Sequence, residues 1–230
     1  MPNYITNRIT LEGPENDIKN IIERFSTVHP DKKQYAYDGS EIFKDENGIP
    51  GWYKDGVFKD CKQNVYNHIP HGYLPDIKKS FIQFPDFAKI IPPPDCPEYR
   101  DEPNQDAVRN SPNWWYTWNV NNWGVKWNSH ECEQVSENVY EFKTAWSGVA
   151  NLIWNMARKF PSVEFFYEYA DEDTGHNIGQ YIFKGNKATT YYIEEGSKEA
   201  YELAFNLMPW KKEYWRLTAD GSTYEFFDEE

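Results

Sequence analysis

The stretch from Asn113 to Asn128 (NWWYTWNVNNWGVKWN) concentrates the side chains best equipped to bind something. It carries five of the chain's ten tryptophans, with Tyr116, Asn119, Asn121, Asn122 and Lys126 between them. Indole faces stack on flat ligands and attract cations, amides give directed hydrogen bonds, and a lysine meets phosphate or carboxylate. A nucleotide-sized ligand fits that chemistry. Read as a helix, the spacing sets Trp115, Trp118 and Asn122 near one face and stacks Trp123 with Trp127 at i, i+4. The same residues also suit a core, because tryptophan buries most of its surface and its N–H then takes a partner. The candidate ligand-binding residues are Trp118, Asn122, Trp123, Lys126, Trp127 and Trp146. Exposure of Trp118, Trp123 and Trp127 separates the pocket reading from the core reading.

Other chemistry is thinner. Thr144-Ala145-Trp146-Ser147 precedes a helix start, where backbone N–H groups can hold an anion, but Ser147 fits better as the helix N-cap. His68-Ile69-Pro70-His71 brings two imidazoles close, yet Pro70 forbids a regular helix and no third ligand is near in sequence. Asp171-Glu172-Asp173 with His176 reads as a solvated acidic turn and does not fit a calcium-binding loop. No GxSxG, GxGxxG or GxxxxGK[ST] motif is present. Cys132 and His130 are neighbours in sequence only. With 37 acidic residues, a catalytic carboxylate pair cannot be picked out by inspection. The expectation is a chain with no assigned catalytic residue, no metal ligand set and no cofactor.

The elements that must position these residues follow from composition and periodicity. The chain has 230 residues, of which 18% are aromatic. A core built from rings is expected, in one large domain or a domain with an insertion. The formal charge of −13 disfavours general nucleic-acid binding. It leaves open an acidic DNA mimic. Cys61, Cys96 and Cys132 are too few and too scattered for a disulfide framework or a zinc knuckle. The start MPNYITNRIT is polar, and no apolar run reaches the length of a membrane span. A reduced, cytoplasmic protein with no membrane contact is expected.

Tyr4 to Leu11 suits a strand with Ile5, Ile9 and Leu11 on one face. Gly13-Pro14 breaks it, and Ile18, Ile21, Ile22 and Phe25 form a helical stripe. From Ser26 to Ser80 no period is sustained; DENG, PGW and KDG read as turns. A strand is expected over Phe81 to Ile91, stopped by Pro92-Pro93-Pro94. Val139 to Trp146 alternates as a strand, with Tyr140, Phe142, Thr144 and Trp146 on one face. Val149, Leu152, Ile153 and Met156 then make a helix, and Val163, Phe165, Tyr167 and Tyr169 another strand. Two strand–helix–strand units make a split β-α-β arrangement of the ferredoxin-like kind. Ile178 to Lys184 and Ala188 to Ile193 follow as strands about Gly185-Asn186. A helix capped by Ser197 and a hairpin about Asp220-Gly221 close the chain.

Four ordered segments carry a resemblance: MPNYITNRITLEG at the start, FAKIIPPP at 87–94, WYTWNVNNWGVKWNS at 115–129 and FKTAWSGV at 142–149. Over roughly residues 1–170 the chain resembles the YubB-like (Api-type) ferredoxin-like domain proteins of plasmids, integrative elements and phages. It departs from that pattern where Val125 stands for the usual Thr, and where Gly148-Val149 stands for a proline pair. The resemblance implies a fold and a genomic setting, and no reaction.

The expected fold is α+β, a ferredoxin-like core with an antiparallel sheet. It carries a long irregular insertion at 26–80 and a C-terminal strand-helix-hairpin extension at 171–230. The leading functional expectation is a non-enzymatic binding protein of a phage or mobile genetic element that engages a host protein or small ligand and counters host defence. The alternatives are a nucleotide-binding or nucleotide-hydrolysing protein with residues 113–128 as pocket wall, and an acidic DNA mimic. Open sheet edges also allow a homo-oligomer.

Overall fold

Alternation begins at the N-terminus. In Tyr4–Glu12 (β1), Ile5, Asn7, Ile9 and Leu11 turn to one face and are buried. The computed structural model describes residues 3–29, 34–35, 41–44, 50–54, 57–60, 81–99 and 108–227. Glu15–Phe25 (α1) buries Ile18, Ile21 and Phe25, with Glu15 and Asp17 at the positive end of its dipole. Pro14 sits just outside the helix, as its N-cap residue.

Next come Thr27–His29 (β2), Gln34–Tyr35 (β3), Glu41–Lys44 (β4), Pro50–Lys54 (β5), Val57–Asp60 (β6) and Phe81–Gln83 (β7). Phe87–Ile90 (α2) and Trp115–Trp123 (α3) are short helices. His130–Ser136 (β8), Val139–Ala145 (β9), Ala150–Lys159 (α4) and Glu164–Asp171 (β10) complete the core. Gly179–Lys184 (β11), Lys187–Tyr191 (β12), Lys198–Leu207 (α5), a 3-10 helix at Pro209–Tyr214, Trp215–Leu217 (β13) and Tyr224–Phe226 (β14) follow.

The chain divides into two compact units, residues 1–27 with 83–230, and residues 28–82. In the first unit a six-stranded sheet runs in the order β12-β11-β10-β1-β9-β8, with every neighbouring pair antiparallel. Its β10-β1-β9-β8 portion, with α1 after β1 and α4 after β9, is the ferredoxin-like β-α-β-β-α-β order. The fold is α+β and ferredoxin-like, widened at one edge by the β11–β12 hairpin. Ile9, Leu11, Phe142, Phe165 and Tyr167 meet Ile18, Ile21 and Phe25 of α1 and Leu152, Ile153 and Met156 of α4 in one core. The core is largely aromatic: Tyr167, Phe25, Phe84, Phe87, Phe142 and Phe165 are among its fully buried side chains. Burying each such ring is worth roughly 1.5–3 kcal/mol. On the opposite sheet face, α5 packs Leu203, Ala204 and Leu207 against Ala170 of β10. Arg8 bridges there to Glu141 at 2.7 Å and donates to the Asn206 carbonyl at 2.9 Å.

The structure differs from the sequence reading at four elements. The expected strand over Phe81 to Ile91 ends at Gln83, because the Asp86 side chain accepts from Ala88 N–H and starts α2. The core strand that follows α1 is instead β8, whose sequence HECEQVS is almost wholly exposed at a sheet edge and carries no apolar alternation. Residues 34–60, expected to be irregular, hold strands β3 to β6 of a four-stranded antiparallel sheet, and Pro50–Trp52, read as a turn, begins β5. Ser147 does not cap α4; Val149 holds the cap position. DENG at 45–48, Cys61, His68 and His71 lie mostly or wholly outside the described residues.

The C-terminal extension follows the sequence closely. Ser197 caps α5 through Ala200 N–H at 3.2 Å. The β13–β14 turn is held by Asp220, whose carboxylate accepts from the Thr218 hydroxyl at 2.7 Å and from Ser222 N–H at 3.1 Å. The Thr218 hydroxyl and then the Ser222 donors lower its pKa from 3.8 to about 2. A depressed acid stabilises the fold above its unfolded value, and that contribution is lost as pH falls through its folded value. The Asp220 carboxyl carbon is therefore expected to titrate with a midpoint near 2 by NMR, with the hairpin turn loosening only below about pH 4.

Candidate functional site

The four signature segments meet in space. Asn7, fully buried, donates through Nδ2 to the Ile5 and Phe142 carbonyls and to Thr144 Oγ1 at 2.9 Å. Its Oδ1 accepts from the Tyr167 hydroxyl at 2.6 Å, and that hydroxyl accepts Val149 N–H at 2.6 Å. Thr144 Oγ1 donates to the Ser147 carbonyl at 2.7 Å. Burial pushes the Tyr167 phenol well above its ordinary pKa, so it stays a neutral donor. This network locks the β1 centre to the turn that leaves β9.

A second set ties α2 to the end of the Trp-rich segment. Asn128 Oδ1 accepts from Phe87 N–H at 2.8 Å, and its Nδ2 donates to Asp86 at 2.7 Å. Gln83 donates to the Ser129 carbonyl at 2.7 Å. Ser129 also donates to the Pro85 carbonyl. Asn119 is buried and committed to the fold, accepting from Tyr99 at 2.8 Å and donating to the Lys126 carbonyl at 2.9 Å. The Cys132 thiol is pushed up by burial, which makes it a poor nucleophile.

The sequence candidates separate into two groups. Trp123 is core: it is 5% exposed, its Nε1 donates to the Ile91 carbonyl at 3.0 Å, and it packs edge-on to Phe87 and Trp118. Trp118 is half-buried against the same core, between Trp123 and Tyr99. Asn122 is exposed, and its amide returns to the Trp118 carbonyl on its own helix. The helix ends at Gly124, whose φ of +80° is a left-handed cap that favours glycine. Trp127 therefore lies beyond α3, and the expected i, i+4 stack with Trp123 has no helix to carry it.

Lys126, Trp127 and Trp146 come together. The Lys126 ammonium lies 4.3 Å from the Trp127 ring centroid and 5.7 Å from that of Trp146. Tyr116 meets Trp146 edge-on at 6.0 Å. Trp114 adjoins Tyr116 at 5.2 Å, and its buried indole N–H has no hydrogen-bond partner among the described residues.

Trp146 was expected to share one strand face with Tyr140, Phe142 and Thr144, which are buried. It is 38% exposed instead, because its φ of +76° turns the chain over at the end of β9. That conformation is a true outlier for a bulky residue and costs of order 1–2 kcal/mol. Two long-range bonds impose it: Trp146 N–H donates to the Asn3 carbonyl at 3.0 Å, and Asn177 donates to the Trp146 carbonyl at 2.9 Å. Asn177 and Asn3 also both donate to the buried Asp171 carboxylate, at 2.8 and 3.2 Å. The acidic turn is thus a clamp on Trp146, and its first carboxylate is not solvated. Asn3, Asn7 and Asn177 escaped the sequence reading, and Asp171 was read as part of a solvated turn, whereas it is 4% exposed. The one local signal was Asn7, a polar residue at an inward position between Ile5 and Ile9.

Among the described residues no group of three or more His, Cys, Asp or Glu is arranged to hold a metal ion, and no helix is long and apolar enough to cross a membrane. Carboxylates of the sheet lie beside cations, as in Arg8 with Glu141 and Glu168, Lys143 with Glu131, and Lys184 with Glu164.

Gly148 completes the turn after Ser147. A Cβ there would fall 2.3 Å from Cδ1 of Tyr169, and one at Gly179 would fall 2.4 Å from its Cε1. Tyr169 therefore occupies space that only glycines leave, in a ladder of rings with Tyr181 and Phe183. Gly148→Ala is expected to lower stability by about 1–3 kcal/mol, read as a lowered denaturation midpoint with an unchanged m-value.

The fold and its buried polar network define a ferredoxin-like α+β protein with an aromatic surface cluster. The family described as the ferredoxin-like domain in Api92-like protein matches residues 122–208. That span runs from the end of α3 through α5 and includes Lys126, Trp127 and Trp146, while Asn3, Asn7 and α2 precede it. No curated protein and no solved structure matches the chain.

Proposed function

We propose that the protein is a non-enzymatic binding protein whose contact surface is Lys126, Trp127 and Trp146, bordered by Tyr116. The observation that carries this is Trp146 itself. A large indole, 38% exposed, is held in a left-handed backbone conformation by hydrogen bonds to Asn3 and from Asn177. Strain kept in place by two long-range contacts is more economically explained by recognition than by stability. An exposed and a half-buried tryptophan beside a cation have the composition of an interface hot spot.

The partner is a host protein, and the setting is a phage or other mobile element acting from the host cytoplasm against host defence. The sequence resemblance supports this setting. A second reading is favoured by the Lys126 position: an ammonium between two indoles suits a nucleotide, with its base on a ring and its phosphate on the lysine.

Purification of tagged native protein from host cells, with mass spectrometry of proteins and released small molecules, separates the two. A stoichiometric protein that is lost from Trp146→Ala and Lys126→Ala supports the first reading. A released nucleotide lost from the same variants replaces it with the second. Partners retained equally by both variants would remove this surface from the account.

A further inference from the structure

A second aromatic surface lies in the C-terminal extension and shares no residue with the Trp146 surface. It is an open cleft of about 340 Å³, within the range of small-ligand sites. Trp210, Tyr214, Trp215 and Phe226 supply rings, and Glu172 and Asp173 supply carboxylates. Trp210 is 54% exposed and Phe226 is 61% exposed. Such rings facing water are costly to keep without a partner. Glu172 is half-used, accepting from Tyr4 N–H at 3.1 Å. The Asp173 carboxylate makes no hydrogen bond or ion pair among the described residues, and Asp173 lines the cleft with Trp210 and Lys211. Lys211 is the cation of the lining, and its ammonium donates to the carbonyl of Glu172, itself a lining residue, at 3.0 Å.

We propose that this cleft binds a basic side chain, the guanidinium or ammonium of an arginine or lysine in an extended segment of a partner protein. Ring faces and carboxylates together form the environment that a desolvated organic cation prefers. The net charge of −13 steers such a segment toward the surface. The occupant is a polypeptide because the cleft ends on a free sheet edge. Trp215 and Phe226 are register partners at one end of the β13–β14 ladder, and both line the cleft. That ladder is two strands only; on the outer edge of β13 the Trp215 N–H donates to the Lys212 carbonyl, and β14 pairs with no further strand among the described residues. An extended chain can add to such an edge while one of its side chains enters the cleft.

The test is titration of the purified full chain with acetylated tetra-arginine and tetra-glutamate peptides and with tetramethylammonium, followed through the indole N–H signals of Trp210 and Trp215. Tetra-arginine is expected to bind, shifting both signals, with affinity falling as salt rises. Trp210→Ala is expected to weaken it about tenfold or more, and Asp173→Asn roughly threefold. Lys211→Ala is expected to bind as well or better, and Trp146→Ala to bind unchanged, so this site stands or falls separately from the proposed contact surface. The inference is overturned if tetra-glutamate binds equally, if Trp210→Ala binds tetra-arginine like native protein, or if only tetramethylammonium binds.

Discussion

Asn7→Leu is expected to lower stability by roughly 3 kcal/mol or more, a fall in melting temperature of about 6–12 °C for a chain of this length. Leucine fills the space but leaves the buried Tyr167 hydroxyl without its acceptor and Thr144 Oγ1 without its donor. The partner change, Tyr167→Phe, strands Asn7 Oδ1 and Val149 N–H, and is expected to cost about 2–4 kcal/mol. Because each single change damages the other's partner, the double variant is expected to lose at least about 1 kcal/mol less than the sum. Chemical denaturation of the four proteins checks this. Additive losses would mean that the network is a set of independent bonds and does not lock β1 to the β9 turn.

Trp146→Gly is expected to separate binding from stability. Glycine adopts a φ of +76° freely, so the substitution relieves strain of order 1–2 kcal/mol while giving up the ring contacts with Tyr116 and Lys126. Glycine also loosens the unfolded chain, which offsets part of that gain. Net stability is expected to stay within about 1 kcal/mol of native. Trp146→Ala keeps the strain and loses the ring, so it is expected to be the less stable of the two. Partner affinity in both is expected to fall about 30-fold to 1,000-fold, as for an interface tryptophan at a hot spot. A Trp146→Gly protein that unfolds with a loss of several kcal/mol would make Trp146 a structural residue.

The elements legible in the sequence are those with a buried stripe. β1, α1, α4, β10 and α5 each repeat apolar residues at the spacing of one face, and each stands where that spacing puts it. β8 was not legible, since an exposed edge strand has no inward face to write into its sequence. The strands β3 to β6 were hidden for the related reason that each is only two to five residues long, too short for a period to build. Among the candidate ligand-binding residues, Lys126, Trp127 and Trp146 do come together. Nothing local distinguishes Trp123, bonded and buried, from Trp127, half-buried under a lysine. The reversal at Trp146 depends on Asn3 and Asn177, far away in the chain, so β-alternation alone does not show that the strand ends at Ala145 and that Trp146 leaves the face of Phe142 and Thr144.

The central claim is that Trp146 and Trp127 are covered by a partner when the protein is at work. Hydroxyl-radical footprinting of native protein captured in host lysate, compared with the same protein purified to homogeneity, measures this residue by residue. The account predicts that Trp146 and Trp127 are oxidised in the purified protein and protected in lysate, while buried Trp123 is unreactive in both. Equal oxidation of Trp146 in the two samples, with protection arising elsewhere on the surface, would contradict it.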